Sequence, residues 1–304
     1  MALGIGESTE TSSTSQVVQS SSPDLSIPTR RMDFEEAMAN LPKHFARDGD
    51  LISSHIIAAL SSVFPDGEDF FVRSVRHYRD QITDPVLKRQ VAGFIGQESI
   101  HGREHRTFNN RLAKLGYPTK RGERIAKLAL GTRERFAPAI SNLAETAALE
   151  HFTATLAEMV LTEPEIRDII GNDAVRDLFV WHALEEAEHK AVAFDVYRAV
   201  GGSERMRIIT MKAIRMVFVT SMTLQVCASL ATDRATYQKG RLRSSFRTVK
   251  NSPLARRSIW RTLCEYDRKG FHPNDLDNTA LMVEWREELF GDDGTMVHYL
   301  RGQA

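Results

Sequence analysis

From residue 33 onward apolar residues recur at helical spacing, and no alternating β-branched run is long enough to make a sheet. The pattern predicts an all-α protein. A first helical pair covers 65 to 82 and 85 to 115, split at Thr83-Asp84-Pro85, where the proline suits the first helical position and Asp84 or Thr83 suits the cap. A second pair covers roughly 137 to 162 and 173 to 200, broken by Pro164 and Gly171 and stopped by Gly201-Gly202. Between the pairs runs a crossover of about two dozen residues, KLGYPTKRGERIAKLALGTRERFAP. Beyond Gly202 come a strongly apolar helix from about 204 to 231, a basic stretch and a helical end around LDNTALMVEWREELFG. The stretch MVFVTSMTLQVCASLA has sixteen residues, short of the ~20 that span a bilayer, so a buried packing helix is expected there.

Two of these helices have interrupted seams. Taken every fourth and then third residue, the second helix reads Leu87, Val91, Phe94, Glu98, His101, His105, Phe108, Leu112. The fourth reads Val175, Phe179, His182, Glu186, His189, Ala193, Val196, Val200. Each carries Glu-x-x-His, with the two residues on one helix face. A lone Glu-x-x-His is ordinarily a solvated face, but here both copies replace apolar core positions.

A buried carboxylate costs several kcal/mol unless it is paired or coordinates an ion, so several in one core call for cations. Candidates on the other two helices complete the set. Glu68 pairs with Glu98 by symmetry, because the midpoint between them is residue 83, the turn of the hairpin. On the third helix Glu150 shares a small-residue face with Ala147, Ala154 and Ala157, while Glu145 is a rival that helical phase leaves open. Asp69 points away from the seam, and His55, His77, His151, His272 and His298 read as surface or structural histidines. A buried polar network without metal is the competing reading of the whole constellation.

One Glu from each of two helices and Glu-x-x-His from each of the other two resembles the ligand pattern of ferritin-like di-iron carboxylate proteins, whose bundles also carry one long crossover. The added histidine in His182-x3-Glu186-x2-His189 resembles the His-rich di-iron N-oxygenases. The whole stretch from about 33 to 290 is similar to the bacterial family labelled "predicted metal-dependent hydrolase", common in actinobacteria and proteobacteria. The resemblance implies a ferritin-like four-helix bundle with additional C-terminal helices. It implies as ligands Glu68, Glu98, His101, Glu150, His182, Glu186 and His189. His105 has no counterpart in the pattern and is kept as an additional candidate.

Mixed carboxylate and imidazole ligands suit iron first and manganese second. The expected function is a di-metal enzyme that uses O2 to oxidise a small organic substrate, with an unknown electron donor. A metal-dependent hydrolase with metal-activated water is the alternative, and a non-catalytic metal-binding bundle is the third reading. The hydrolase would require a general acid and oxyanion donors, whereas the seams offer mostly Phe, Val and Ala.

Composition adds boundaries. Ten of the fifteen residues from Ser8 to Ser22 are Ser or Thr, so residues 1–32 are expected to be a disordered tail. The bundle then occupies 33–203, with an extension over 204–304 packed on it. Forty basic residues balance forty acidic ones, giving no reason to expect nucleic acid. Cys227 and Cys264 stand in no ligand-like spacing and are expected to be free thiols, and the N-terminus lacks the basic and apolar regions of a secretory signal, so a cytoplasmic protein is expected. A homodimer is open. Nine Lys or Arg lie from Arg234 to Arg261. This cluster reads as a solvated helical face or as a peripheral membrane contact.

Overall fold

The computed structural model describes Met1 and residues 27–301. Among these residues helices make up the fold and no strand forms; one isolated bridge pairs Met32 with Leu300. The helices are α1 (Leu51–Arg76), α2 (Pro85–Lys114), α3 (Thr119–Phe136), α4 (Ala139–Thr162), α5 (Pro164–Ile170) and α6 (Asp173–His189). They continue as α7 (Val192–Ala199), α8 (Glu204–Thr232), α9 (Arg241–Asn251), α10 (Arg257–Glu265) and α11 (Thr279–Phe290). The all-α helical bundle expected from the spacing is therefore the fold.

The hairpin between α1 and α2 forms as its turn chemistry requires. Asp84 accepts from the Val86 N–H at 2.8 Å and Pro85 takes the first helical position. Two boundaries differ from expectation. α1 begins at Leu51 rather than 65 and runs straight through Pro65, ending at Arg76. A proline inside a helix removes the N–H that would bond the carbonyl four residues back and presses on that carbonyl. Here the carbonyl is that of Ser61, and the Asn109 side-chain amide of α2 donates to it at 3.0 Å. The loss is thus repaired across the hairpin, which is why Pro65 does not start the helix. The crossover is likewise mostly helical, as α3, and the stretch expected as one helix from 173 to 200 is α6 and α7, separated at Lys190-Ala191.

α1, α2, α4 and α6 surround a core that splits in two. One apolar cluster contains Phe45, Phe108, Leu112, Val175 and Trp181. The other contains Phe70, Val91, Phe94, Leu143 and Val196. Between them lie the polar positions of both seams.

The C-terminal segment packs against this bundle and the N-terminal arm. Asp33 N–H donates to Tyr299 O at 2.9 Å and Arg301 N–H to Arg31 O at 2.8 Å. Residues 27–32, placed in the tail on composition, are packed: Met32 is fully buried and a Cβ on Gly93 would stand 2.5 Å from the Ile27 carbonyl oxygen. The fold therefore begins before residue 33. The rest of the Ser/Thr-rich stretch lies outside the described residues.

The expectation of a buried apolar helix over 204–231 is corrected. α8 docks by a narrow face that includes Met211 and Ile214, and two buried arginines fix it: Arg207 donates to Arg268 O at 2.9 Å and Arg215 to Leu263 O at 2.9 Å. Met216, Val217 and Leu224 are exposed. By length and composition α8 is long and apolar enough to cross a bilayer. Hydropathy counts apolar residues around the whole helix, whereas only one face finds a partner.

The end of α8 is clamped to α1 and the arm. Asp233 Oδ2 lies 2.9 Å from His44 Nε2, 3.2 Å from His55 Nε2 and 3.0 Å from Lys43 Nζ, while His55 Nδ1 lies 2.7 Å from Ser229 Oγ. Burial lowers the His55 imidazole to about 4 against the partial support of Asp233. A folded pKa below the unfolded value of 6.5 means that the neutral ring stabilises the fold above pH 6.5 and that this is lost as pH falls towards 4. Burial opposes the Asp233 charge, but hydrogen bonds from the Ala235 N–H and from His44, Lys43 and His55 outweigh it and hold this carboxyl well below the usual range. Its contribution is therefore lost only under more acid conditions. Between pH 6.5 and 4 the wild-type chain is expected to lose up to roughly 3 kcal/mol through His55. His55→Gln should flatten that part of the profile in denaturant unfolding at fixed metal load; identical slopes would refute the assignment.

Candidate metal centre

Each of the four central helices delivers a carboxylate to one place. Glu68 from α1, Glu98 from α2, Glu150 from α4 and Glu186 from α6 are at most 2% exposed, and His101 and His189 are fully buried, with His182 at 4%. His189 Nε2 lies 3.0 Å from Glu98 Oε1, 3.5 Å from Glu150 Oε2 and 3.6 Å from Glu186 Oε2. His182 Nε2 lies 2.8 Å from Glu186 Oε1 and 3.9 Å from Glu68 Oε1. His101 Nδ1 is 3.9 Å from Glu186 Oε1 and 4.0 Å from Glu98 Oε1. All seven residues implied by the resemblance thus converge. Gly102 makes room on α2, because a Cβ there would stand 3.2 Å from Glu68 Oε2.

The donor set fits cations. Both carboxylate oxygens of Glu68, Glu98 and Glu150, together with Glu186 Oε2, His101 Nδ1 and His189 Nε2, are buried without a hydrogen-bond partner among the described residues. Buried polar atoms are rarely left so, and nine of the eighteen such side-chain atoms among the described residues stand in this one cluster. Groups of Glu68, Glu98 and His101, of His101, His182 and Glu186, and of Glu98, Glu186 and His189 each bring ligand atoms within 4.8 Å of one another. On the protein's own charges, burial pushes Glu68, Glu98 and Glu150 above the usual carboxylate range, and Glu186 pushes all three further. Burial also opposes the charge of Glu186, but His189 and His182 outweigh it and hold this carboxyl low. Burial likewise opposes protonation of His189, where Glu186, Glu98 and Glu150 prevail and raise it. A divalent pair would let all four carboxylates ionise together.

The imidazoles are aimed by their other nitrogens. Asn109 gives its amide N–H to Ser61 O, so its oxygen accepts the Ser61 hydroxyl at 2.8 Å. Ser61 Oγ must then accept from His105 Nδ1–H at 2.9 Å. Burial lowers the His105 pKa, with His182 lowering it further, so its Nε2 is an acceptor for His182 Nδ1–H at 2.7 Å. A neutral His182 ring would thereby present the lone pair of Nε2 to a metal among the carboxylates, whereas without one this nitrogen lies 2.8 Å from Glu186 Oε1. His105 spends both nitrogens in this chain and positions His182 instead of ligating, although it stands near enough to Glu68 and His182 to form a group with them.

His189 follows the same logic. Gln97 donates its amide to Glu188 at 2.6 Å and to Pro28 O at 3.0 Å, so its oxygen accepts His189 Nδ1–H at 2.8 Å and Nε2 faces the cluster. His101 Nε2 meets Glu185 Oε2 at 3.0 Å. Glu185 is held by Arg30 at 2.9 Å, and Glu188 by Arg30 at 2.8 Å and Arg286 at 2.6 Å. Such outer partners set ring orientation and ligand basicity.

Glu145, the rival of Glu150, turns to α3 and pairs with Arg133. Asp69 faces out to Arg106 at 3.3 Å. His77 and His298 are exposed, His151 bonds Thr262 O at 3.0 Å and His272 bonds Asp195 at 2.8 Å. Cys227 and Cys264 are free. His44, His55 and Asp233 form another group close enough for a cation, but Lys43 shares their carboxylate oxygen and Arg241 donates to His44 at 3.0 Å. Sequence reading missed Arg30, Ser61, Gln97, Asn109 and Glu185. Only Gln97 and Glu185 left a local signal, as the polar neighbours preceding Glu98 and Glu186.

Fold and site define an all-helical protein with a buried carboxylate–histidine metal centre. The chain belongs to the family described as "predicted metal-dependent hydrolase", whose profile matches residues 28–277. Neither curated proteins nor solved structures gave a match.

The geometry distinguishes candidate ligands from candidate positioning residues. His189→Ala is expected to lose at least one metal per chain by elemental analysis. His105→Phe should keep the full stoichiometry at saturating metal while weakening affinity about 10–100-fold. A full metal complement in His189→Ala, or loss of one metal in His105→Phe, would reverse the assignments.

Proposed function

We propose that the protein is a dinuclear metal enzyme of ferritin-like architecture, loaded with iron in preference to manganese, that couples O2 to oxidation of a small organic substrate. One observation carries this reading: four buried carboxylates and three imidazoles converge on a wall that is otherwise apolar. Bound there, two such metals supply paired one-electron chemistry towards O2. Glu68, Glu98, His101, Glu150, His182, Glu186 and His189 would hold them, and Gln97, Glu185 and His105 keep the imidazoles aimed.

The surroundings favour oxidation over hydrolysis. Phe64 lies against the His182 ring at 5.0 Å and Phe94 against His189 at 5.0 Å, between centroids. These rings exclude water and offer neither a general acid nor an oxyanion donor. The second reading, hydrolysis by metal-activated water, is favoured by the family's description. The Fe(II)-loaded protein is expected to consume O2 and develop a visible charge-transfer band. Hydrolysis of esters or amides under nitrogen, with an iron form inert to O2, would establish the second reading instead.

We also propose a peripheral contact with anionic membranes through α9 and α10. α9 exposes Leu242 and Phe246 beside Arg243, Arg247 and Lys250, and α10 exposes Trp260 between Arg257 and Arg261. Basic residues near such a surface contribute about 1 kcal/mol each. Arg241 is excluded from this set because it holds His44 and Gly49 O. Replacing Arg243, Arg247 and Lys250 with Gln should abolish salt-sensitive binding to phosphatidylserine vesicles and leave metal content unchanged. Undiminished binding would sink the contact.

A further inference from the structure

A groove of about 110 Å³ runs between α1 and α4 and ends on the metal centre. Ile56, Leu60 and Phe64 recur every fourth residue on α1, and Thr153, Leu156 and Val160 form the facing stripe on α4. All six are half-buried, whereas the inner end, formed by Phe179, His182 and Glu186, is buried. The groove is therefore open along its length and closed at the ligands. Ile169 of α5 and Leu254, in the turn between α9 and α10, complete the outer wall.

Its chemistry is one-sided. The Thr153 hydroxyl spends its proton on Glu150 O at 3.0 Å and can meet a ligand only as an acceptor. Apart from Thr153, the polar side chains that meet the groove are His182 and Glu186, at its inner end. A ligand with a negative charge part-way along it, or a hydroxyl away from Thr153, would bury that group unpaired, while an apolar one gains by displacing water from the walls. The nine residues from Ile56 to Phe64 rise about 12 Å along the helix, so this volume is a slender slot with room for a chain.

We infer that the groove binds an unbranched hydrocarbon chain, one end of which lies against His182 and Glu186. The inference deepens the proposed function by naming its substrate class, and it rests on that reading only for the presence of metal at the inner end. It also gives Leu254 a purpose, since the outer wall adjoins the exposed apolar and basic residues of α9 and α10.

The test uses the full-length, metal-loaded protein and octan-1-ol as probe, with affinity read by ligand-observed NMR. Octan-1-ol should bind at least tenfold more tightly than octane-1,8-diol or cyclooctanol. Ala157→Phe, which fills the slot from α4, and Ile169→Trp, which narrows its outer wall, should each weaken octanol at least tenfold with metal content unchanged. In manganese(II)-loaded protein the bound octanol protons should relax faster than in the zinc form. Equal affinity for the diol, undiminished binding in both variants, or equal relaxation in the two metal forms would overturn the inference. Octanol binding in a protein that retains no metal would leave the groove standing and remove the dinuclear reading.

Discussion

Four carboxylates buried within reach of one another set the terms for everything around them. Among themselves they repel, and burial adds a desolvation cost to each charge. Glu186 alone is held low by its histidines, while Glu68, Glu98 and Glu150 are pushed up. The core accommodates this only where apolar packing stops, between the cluster around Phe108 and Trp181 and the cluster around Phe94 and Leu143. Cations would resolve the conflict between charge and burial, and metal binding at this place would then be linked to folding.

The scaffold that aims the imidazoles is built from departures from ideal helix. Pro65 frees the Ser61 carbonyl, Asn109 takes it, and the oriented Asn109 oxygen dictates which way the Ser61 hydroxyl points. That direction passes through His105 to His182. A proline that costs an isolated helix several kcal/mol thereby bears on the tautomer of a candidate ligand. On the other side Gln97 does the same for His189 with a single oriented amide.

The seams of α2 and α6 were legible because burial there follows helical period: Leu87, Phe94, Phe108, Val175 and Val196 are buried beside the polar positions they flank. Glu68 was legible from hairpin symmetry, which is a property of two antiparallel helices and one turn. The choice between Glu145 and Glu150 needed tertiary contact, since only the position of Arg133 on α3 draws Glu145 away. The start of α1 was hidden because Pro65 reads locally as a helix start. Exposure of α8 was hidden because composition does not reveal how much of a helix finds a partner. Arg30 was unreadable for a further reason: its partners lie 155 and 158 residues away, and a low-complexity neighbourhood made its segment look unstructured.

That last contact ties the centre to both flanks of the fold. Arg30 from the arm and Arg286 from α11 meet on Glu188, and Arg30 also grips Glu185, which orients His101. Burial opposes the Glu188 charge, but the two guanidinium groups outweigh it and hold this carboxyl ionised. The two glutamates, one helical turn apart, stand behind His101 and, through Gln97, His189, and they differ: both guanidinium groups reach Glu188, whereas burial pushes Glu185 up to about 8 against the pull of Arg30. The arm and α11 are therefore not accessory wrapping around a four-helix core. They supply the compensating charge that lets a second layer of carboxylates sit directly behind the first, and the orientation of His101 and His189 depends on segments that sequence reading would have placed outside the bundle.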